Sequence, residues 1–232
     1  MNERRQDCWY KNVCQIDDCT ASCIRYNEIK YLMDTSGIPV AQQIPLKLKI
    51  INPADEKAFL RLNEIKNNIV NYVENGNNLY ITSNNTGNGK TSWALKIILK
   101  YFDEIWSGNG FRVRGLFIHV PTFLSQIKNF NNPLSEEFKE NVVNADIVIW
   151  DDIASNSLSP YDYGQLLMYI DARIMNKRTN IYTSNIADKE KLDKLVGARL
   201  SSRIYTNSEV ITLIGKDYRS INDNLGGINN NG

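Results

Sequence analysis

Short apolar runs alternate with amphipathic stretches along most of the chain. Leu79-Tyr80-Ile81-Thr82, Gly115-Leu116-Phe117-Ile118-His119-Val120, Asp146-Ile147-Val148-Ile149-Trp150, Thr179-Asn180-Ile181-Tyr182-Thr183-Ser184 and Glu209-Val210-Ile211-Thr212-Leu213-Ile214 are four to six residues long and rich in β-branched and aromatic side chains. That length and composition predict five buried strands. Between them the apolar spacing becomes helical. Phe59, Leu62, Ile65, Ile69, Val70 and Val73 mark one helix over 55–74. Others are expected from Ser92 through Leu99, from Thr122 to Phe130, from Pro133 to Asn144, and from Ser159-Pro160 to Asn176, where proline suits the first turn. Strands alternating with helices predict an α/β sandwich with a mainly parallel sheet. Upstream, Ile24 to Met33 reads as a helix broken by Asp34-Thr35-Ser36-Gly37-Ile38-Pro39. Residues 37–54, with Pro45 and Pro53, read as a linker, 55–220 as the main domain, and 221–232 as a disordered tail.

The richest chemistry follows the first strand. Asn84-Asn85-Thr86-Gly87-Asn88-Gly89-Lys90-Thr91 joins that strand to a helix, the setting a nucleotide-phosphate loop requires. Backbone N–H groups must turn onto phosphate oxygens, and Gly87 and Gly89 permit the necessary conformations. Lys90 is placed to reach the β- and γ-phosphates, and the Thr91 hydroxyl to ligate Mg²⁺ at a helix N-terminus. The usual pattern is G-x-x-x-x-G-K-S/T. Asn84 stands at the first glycine, and asparagine is the next-best residue for a left-handed backbone. The alternative is a plain polar turn before a helix.

Sixty residues on, Ile147-Val148-Ile149-Trp150 ends in Asp151-Asp152, the form of a Walker B strand. The first carboxylate would hold the Mg²⁺ shell and the second orient or deprotonate water. Asp152 is one methylene shorter than the glutamate usual there. A carboxylate set back by ~1.5 Å slows hydrolysis, since small misplacements cost about 10²-fold. Asn185, closing Thr183-Ser184-Asn185, is placed to hold the nucleophilic water or the γ-phosphate, or simply forms a polar turn. Arg199 and Arg203 lie one helical turn apart, and neither has an acidic residue at i−4. That pairing of like charges predicts an external anion, the γ-phosphate of ATP on an adjacent subunit.

Composition narrows the partners. The 232 residues carry a net charge of +1 and 42% hydrophobic residues, enough for a core but without a global basic field. From Arg173 to Arg219 ten Lys/Arg face five Asp/Glu, a local basic face or a solvated one. No apolar run approaches 18 residues, and Met1-Asn2-Glu3-Arg4-Arg5-Gln6-Asp7 lacks a signal-peptide core, so a cytoplasmic protein with no membrane role is expected. Cys8, Cys14, Cys19 and Cys23 are the only cysteines. Their clustering favours a tetrahedral Zn²⁺ site over disulfides and makes residues 1–36 a zinc-binding module. Their C-x5-C-x4-C-x3-C spacing is not a twin CxxC.

Gly89-Lys90-Thr91, Ile149-Trp150-Asp151-Asp152, Thr183-Ser184-Asn185, Gly197-Ala198-Arg199-Leu200-Ser201-Ser202-Arg203 and Tyr218-Arg219, in that order, resemble the DnaC/DnaI-type replicative helicase loaders of the AAA+ superfamily, particularly small phage-borne versions. The resemblance covers Leu79 to Ser220. It implies an AAA+ P-loop three-layer sandwich with a five-stranded sheet and no full lid domain. It implies an ATPase that binds ATP and Mg²⁺ through Asn85, Thr86, Gly87, Asn88, Gly89, Lys90, Thr91 and Asp151, with Arg219 as sensor 2. Asp152, Asn185 as sensor 1 and Arg203 as arginine finger would be catalytic, with Arg199 a rival finger. The cysteine module looks like the zinc-binding helicase-interaction domain of the DnaI branch. Single-stranded DNA is expected on Ser159 and Tyr161 after Walker B and on Lys128, Phe130 and Lys139 before it, although Ser159-Pro160 equally reads as a helix start. The implied partners are a hexameric replicative helicase, single-stranded DNA and further copies of the chain joined through the ATP site. An IstB-like transposition ATPase and a nucleotide-gated helicase-binding adaptor or inhibitor with little turnover remain the rival readings.

Overall fold

The computed structural model describes residues 7–10, 14, 19–20, 22–43, 52–108, 110–129 and 133–215. Five strands form one sheet: β1 (Leu79–Thr82), β2 (Gly115–His119), β3 (Ile147–Asp151), β4 (Thr179–Ser184) and β5 (Glu209–Thr212). Their order is β2-β3-β4-β1-β5, and every neighbouring pair is parallel. Parallel neighbours need helical crossovers, which bury both faces. The helices are α1 (Ile24–Thr35), α2 (Glu56–Asn67), α3 (Ile69–Glu74), α4 (Lys90–Ile105), α5 (Val120–Ile127), α6 (Glu136–Asn144), α7 (Pro160–Met175), α8 (Lys189–Val196) and α9 (Ala198–Tyr205).

Alternation along each strand sorts side chains into two cores. Leu79, Ile81, Ile147, Ile149 and Ile181 join residues of α1 to α4 on one face. Tyr80, Val148, Trp150 and Tyr182 join residues of α5 to α9 on the other. The result is a three-layer form of the α/β sandwich that the alternation of elements predicts. Helix α1 contributes Ile29, Leu32 and Met33 to the same core as Ile97, Ile98 and Phe102 of α4. Just beyond α1, the Ser36 carbonyl accepts the Phe117 N–H at 2.7 Å, occupying a backbone donor on edge strand β2. The Tyr10 hydroxyl and the Arg25 guanidinium both donate to Asp103 near the end of α4.

The beginnings of three strands are pinned by charge. Arg114 precedes β2, Asp146 precedes β3 and Arg178 precedes β4. The buried Asp146 carboxylate accepts hydrogen bonds from Arg114, from Arg178 at 2.6 Å, from Arg112 and from the Tyr101 hydroxyl. Behind it Arg173 of α7 is fully buried. It donates to the carbonyls of Val142, Ala145 and Thr179 and to Asn180 Oδ1, which satisfies its donors without a carboxylate.

Three differences from expectation have a local cause. The helix over 55–74 divides at Asn68, whose φ of −113° and ψ of 30° interrupt the helix while its N–H still reaches the Glu64 and Ile65 carbonyls. Helix α5 starts earlier, at Val120, because Pro121 in its first turn has no N–H to leave unpaired. Helix α8 has no counterpart in the apolar pattern. It is eight residues long, strongly charged and buries only Leu192 and Val196, and the Asp188 side chain caps it by accepting the Lys191 N–H at 2.8 Å. The tail over 221–232, Phe130 and Arg219 lie outside the described residues.

Candidate functional site

The C-terminal ends of parallel strands gather loops at one edge of the sheet, the customary ligand position in open α/β folds. There β1 passes through 83–89 into α4. Gly87 has φ 68° and Gly89, which caps α4, has φ 93°. A Cβ on Gly89 would meet no atom within 4 Å, so the backbone angle rather than space demands glycine there. Asn84 is not left-handed, contrary to expectation. The turn is made by the two glycines, while the Asn85 N–H is held by the Ser83 hydroxyl at 2.9 Å.

Lys90 is buried, and its ammonium donates to the Asn85 carbonyl at 2.9 Å and to Asn88 Oδ1 at 3.1 Å. Asn88 is buried too and donates to the Ser83 hydroxyl and the Leu213 carbonyl. Asn85 donates to the carbonyls of Ile214 and Gly215. The loop is thereby tied to the exit of β5. That exit is held from the other side by the buried Asp55 carboxylate, which accepts the Ile214 and Gly215 N–H groups at 2.6 and 2.9 Å. The sequence marks Asp55 only as a helix start, because its partners lie 159 and 160 residues away.

Asp151 is the hub between loop and sheet. Its Oδ1 accepts the hydroxyls of Thr91 and Thr183, each at 2.7 Å. Asp152 follows with φ 57°, and its N–H donates to the Thr183 hydroxyl at 3.0 Å. Burial, then the Asp151 charge, hold the Asp152 carboxyl above the ordinary carboxylate range, with His119 and Lys90 pulling against them. His119 ends β2 in register with Asp151, and its Nδ1 lies 2.8 Å from the Thr122 hydroxyl. In the sequence His119 reads only as a strand residue. Its signal was being the sole histidine, at the end of a strand beside the acidic pair. Asn185 leaves β4 at the same end of the sheet, half-buried.

The arginine pair lies elsewhere. Arg203 Nε donates to Asp171 Oδ1 at 2.6 Å, and Arg199 Nη2 to Asp171 Oδ2 at 3.0 Å. The expectation that only an external anion compensates the two charges is corrected. Asp171 of α7 does so within the chain, and no i−4 search could find a residue 28 and 32 positions away. Among the described residues neither arginine makes an ion pair with Asp151 or Asp152.

Three expected DNA residues do come together, around Asp162. Lys128 donates to Asp162 Oδ2 at 2.7 Å, the Ser159 hydroxyl donates to the same oxygen at 2.6 Å and caps α7, and the exposed Tyr161 hydroxyl lies 3.5 Å from the Ile127 carbonyl. Lys139 pairs with Glu136. The cysteines are free and half-buried. Among the described residues no three Cys, His, Asp or Glu side chains are arranged to hold a metal, so the geometry does not support the expected Zn²⁺ site. Cys23 instead caps α1, its carbonyl accepting the Asn27 N–H. A cavity of about 460 Å³ opens beside Arg61, Tyr72, Asn78 and Glu209, near the starts of β1 and β5, and is lined by none of residues 83–91. Among the described residues no helix is long and apolar enough to cross a membrane.

No family model matches the chain, and no curated protein matches it in sequence. Its shape matches solved structures. The DnaC helicase loader aligns with a TM-score of 0.61 and 22% identity, over 72% of this chain and 93% of that one. DnaI aligns with a TM-score of 0.61 and 18% identity, over 78% and 93%. AMPPCP-bound DnaA from Aquifex aeolicus aligns with a TM-score of 0.56 and 18% identity, over 77% and 53%. The likeness is one of fold: the chain shares the α/β architecture of these DnaC, DnaI and DnaA structures.

Proposed function

We propose that the chain is an ATP-dependent loader that binds a replicative DNA helicase and delivers it onto single-stranded DNA. The observation that carries this reading is the Thr91–Asp151 contact beside Lys90, a nucleotide-ready constellation on a fold shared with DnaC and DnaI. The residues fit ATP and Mg²⁺. Gly87 and Gly89 give the loop the turn that aims N–H groups at phosphates, and phosphate oxygens would replace the Asn85 and Asn88 acceptors of Lys90. The oxygens of Thr91 and Asp151 would hold Mg²⁺, which would neutralise charge on the phosphates. Asp152 would take the proton of attacking water, Asn185 would orient that water, and Arg203 of a neighbouring copy would face the γ-phosphate. Arg219 is assigned to the sensor 2 role. Lys128, Phe130, Ser159 and Tyr161 are assigned to single-stranded DNA. Zn²⁺ at the four cysteines is supported by residue type and clustering alone, and no step is assigned to it.

The test is co-purification with the hexameric helicase, and ATP hydrolysis measured with and without helicase and single-stranded DNA. Capture of helicase with hydrolysis stimulated by DNA is expected. A chain that ignores helicase and captures a transposase instead would overturn the reading. One observation favours a second reading, a nucleotide-gated adaptor with little turnover. Asp152, held at φ 57°, is one methylene shorter than the usual glutamate, so its carboxylate departs from it in reach. Helicase capture controlled by ATP without measurable hydrolysis would select it.

A further inference from the structure

Asp171 has a place in the arrangement that the motifs do not assign. It accepts Arg203 through Nε on one oxygen and Arg199 on the other, so one carboxylate serves two guanidiniums and leaves an excess positive charge. A carboxylate on Nε fixes the plane of a guanidinium, whose remaining donors form a rigid fork. Among the described residues the two terminal nitrogens of Arg203 make no hydrogen bond or ion pair.

The surface beside this fork is apolar. Met168 and Met175 lie seven residues apart on α7 and are 51 and 83% exposed. That spacing sets them on one helix face, with Asp171 between the two methionines. An apolar stripe flanked by an oriented arginine has the composition of a protein contact. The charge on offer complements a polyphosphate, and among the described residues neither arginine is paired with Asp151 or Asp152.

We propose that Asp171 is a positioning residue: it holds Arg203 with its terminal nitrogens outward, presented to the nucleotide phosphates of a second copy of this chain seated against the α7 face. The inference rests on the nucleotide reading above and names the residue that makes the shared site work.

The test is ATP-dependent self-association followed by sedimentation, with ATP affinity measured separately in dilute protein. Asp171→Ala is expected to bind ATP like wild type when dilute, yet to need roughly ten-fold more protein to assemble. Asp171→Glu, which keeps the carboxylate, restores part of the assembly. An equimolar mixture of Asp171→Ala with Lys90→Ala pairs at lower concentration than either variant alone, because one subunit supplies an intact phosphate loop and the other a held Arg203. A residue that merely stabilised its own subunit would give no such rescue. Assembly of Asp171→Ala at wild-type concentrations, or failure of the mixture, overturns the inference. A wild-type chain that does not bind ATP overturns the nucleotide reading itself and takes this inference with it.

Discussion

The Thr91 hydroxyl donates to Asp151 Oδ1 across 2.7 Å, joining the first turn of α4 to the end of β3. Thr183 of β4 donates to the same oxygen, so three elements meet at one carboxylate. This contact predicts how Mg²⁺ dependence divides. Thr91→Val keeps the shape and loses the hydroxyl. It should cost about 1 kcal/mol of stability, the usual value of one hydrogen bond. Titration with a fluorescent ATP analogue should show that Mg²⁺ strengthens binding to wild type and leaves Thr91→Val nearly unmoved. Equal strengthening in both would remove Thr91 from the metal donor set.

Lys90→Ala removes a buried ammonium that Asn85 and Asn88 hold in the loop. Loss of a charge-assisted contact to phosphate costs at least about 2 kcal/mol, so ATP affinity should fall by about 30-fold or more. Calorimetric titration reads this directly. Wild-type affinity in the variant would show that the loop is a polar turn.

Asp152 has a backbone reason for being aspartate. At φ 57° a residue sits in the left-handed region, which Asp and Asn tolerate better than Glu. Asp152→Glu should therefore lower stability by about 1 kcal/mol in urea unfolding rather than simply restoring reach. Asp152→Asn keeps the backbone preference. It should bind ATP normally and lose hydrolysis by about 10²-fold or more, the scale of a missing general base. Hydrolysis by Asp152→Asn at the wild-type rate would move the base elsewhere.

Much of this was legible along the chain because it is local. Leu79–Thr82 and Thr179–Ser184 begin and end where their apolar runs do, and Gly87 and Gly89 take the positive φ angles a phosphate loop requires. What escaped is contact between distant residues. Asp171 holds arginines 28 and 32 positions on, Asp55 holds N–H groups 159 and 160 positions on, and His119 meets the acidic pair only across a strand register. Asn84 misled because residue preference says which angle is tolerated, not which residue takes it. Helix α8 escaped because so short and charged a segment derives its stability from its cap and from packing against α9, not from a periodic face.

Asp146 tests the opposite end of the sheet. It is buried among Arg112, Arg114 and Arg178 at the starts of β2, β3 and β4. Burial alone would raise its pKa. The hydrogen bond and charge of Arg114, with Tyr101 and Arg112, outweigh burial and hold it below the ordinary carboxylate range. Removing the carboxylate leaves guanidiniums crowded without an anion, so Asp146→Ala should cost about 3–5 kcal/mol. A depressed carboxylate stabilises the fold above its unfolded pKa and loses that contribution as pH falls through the folded value. Asp146→Asn should then be less stable than wild type at neutral pH. The gap between them should narrow as pH drops below about 4, where the carboxylate of the unfolded chain takes up its proton while that of the folded chain still resists it. Urea unfolding of both proteins across that range decides the matter. A gap of constant size down to the acid limit would mean that Asp146 acts through its shape and hydrogen bonds, and that the three arginines do not depend on its charge.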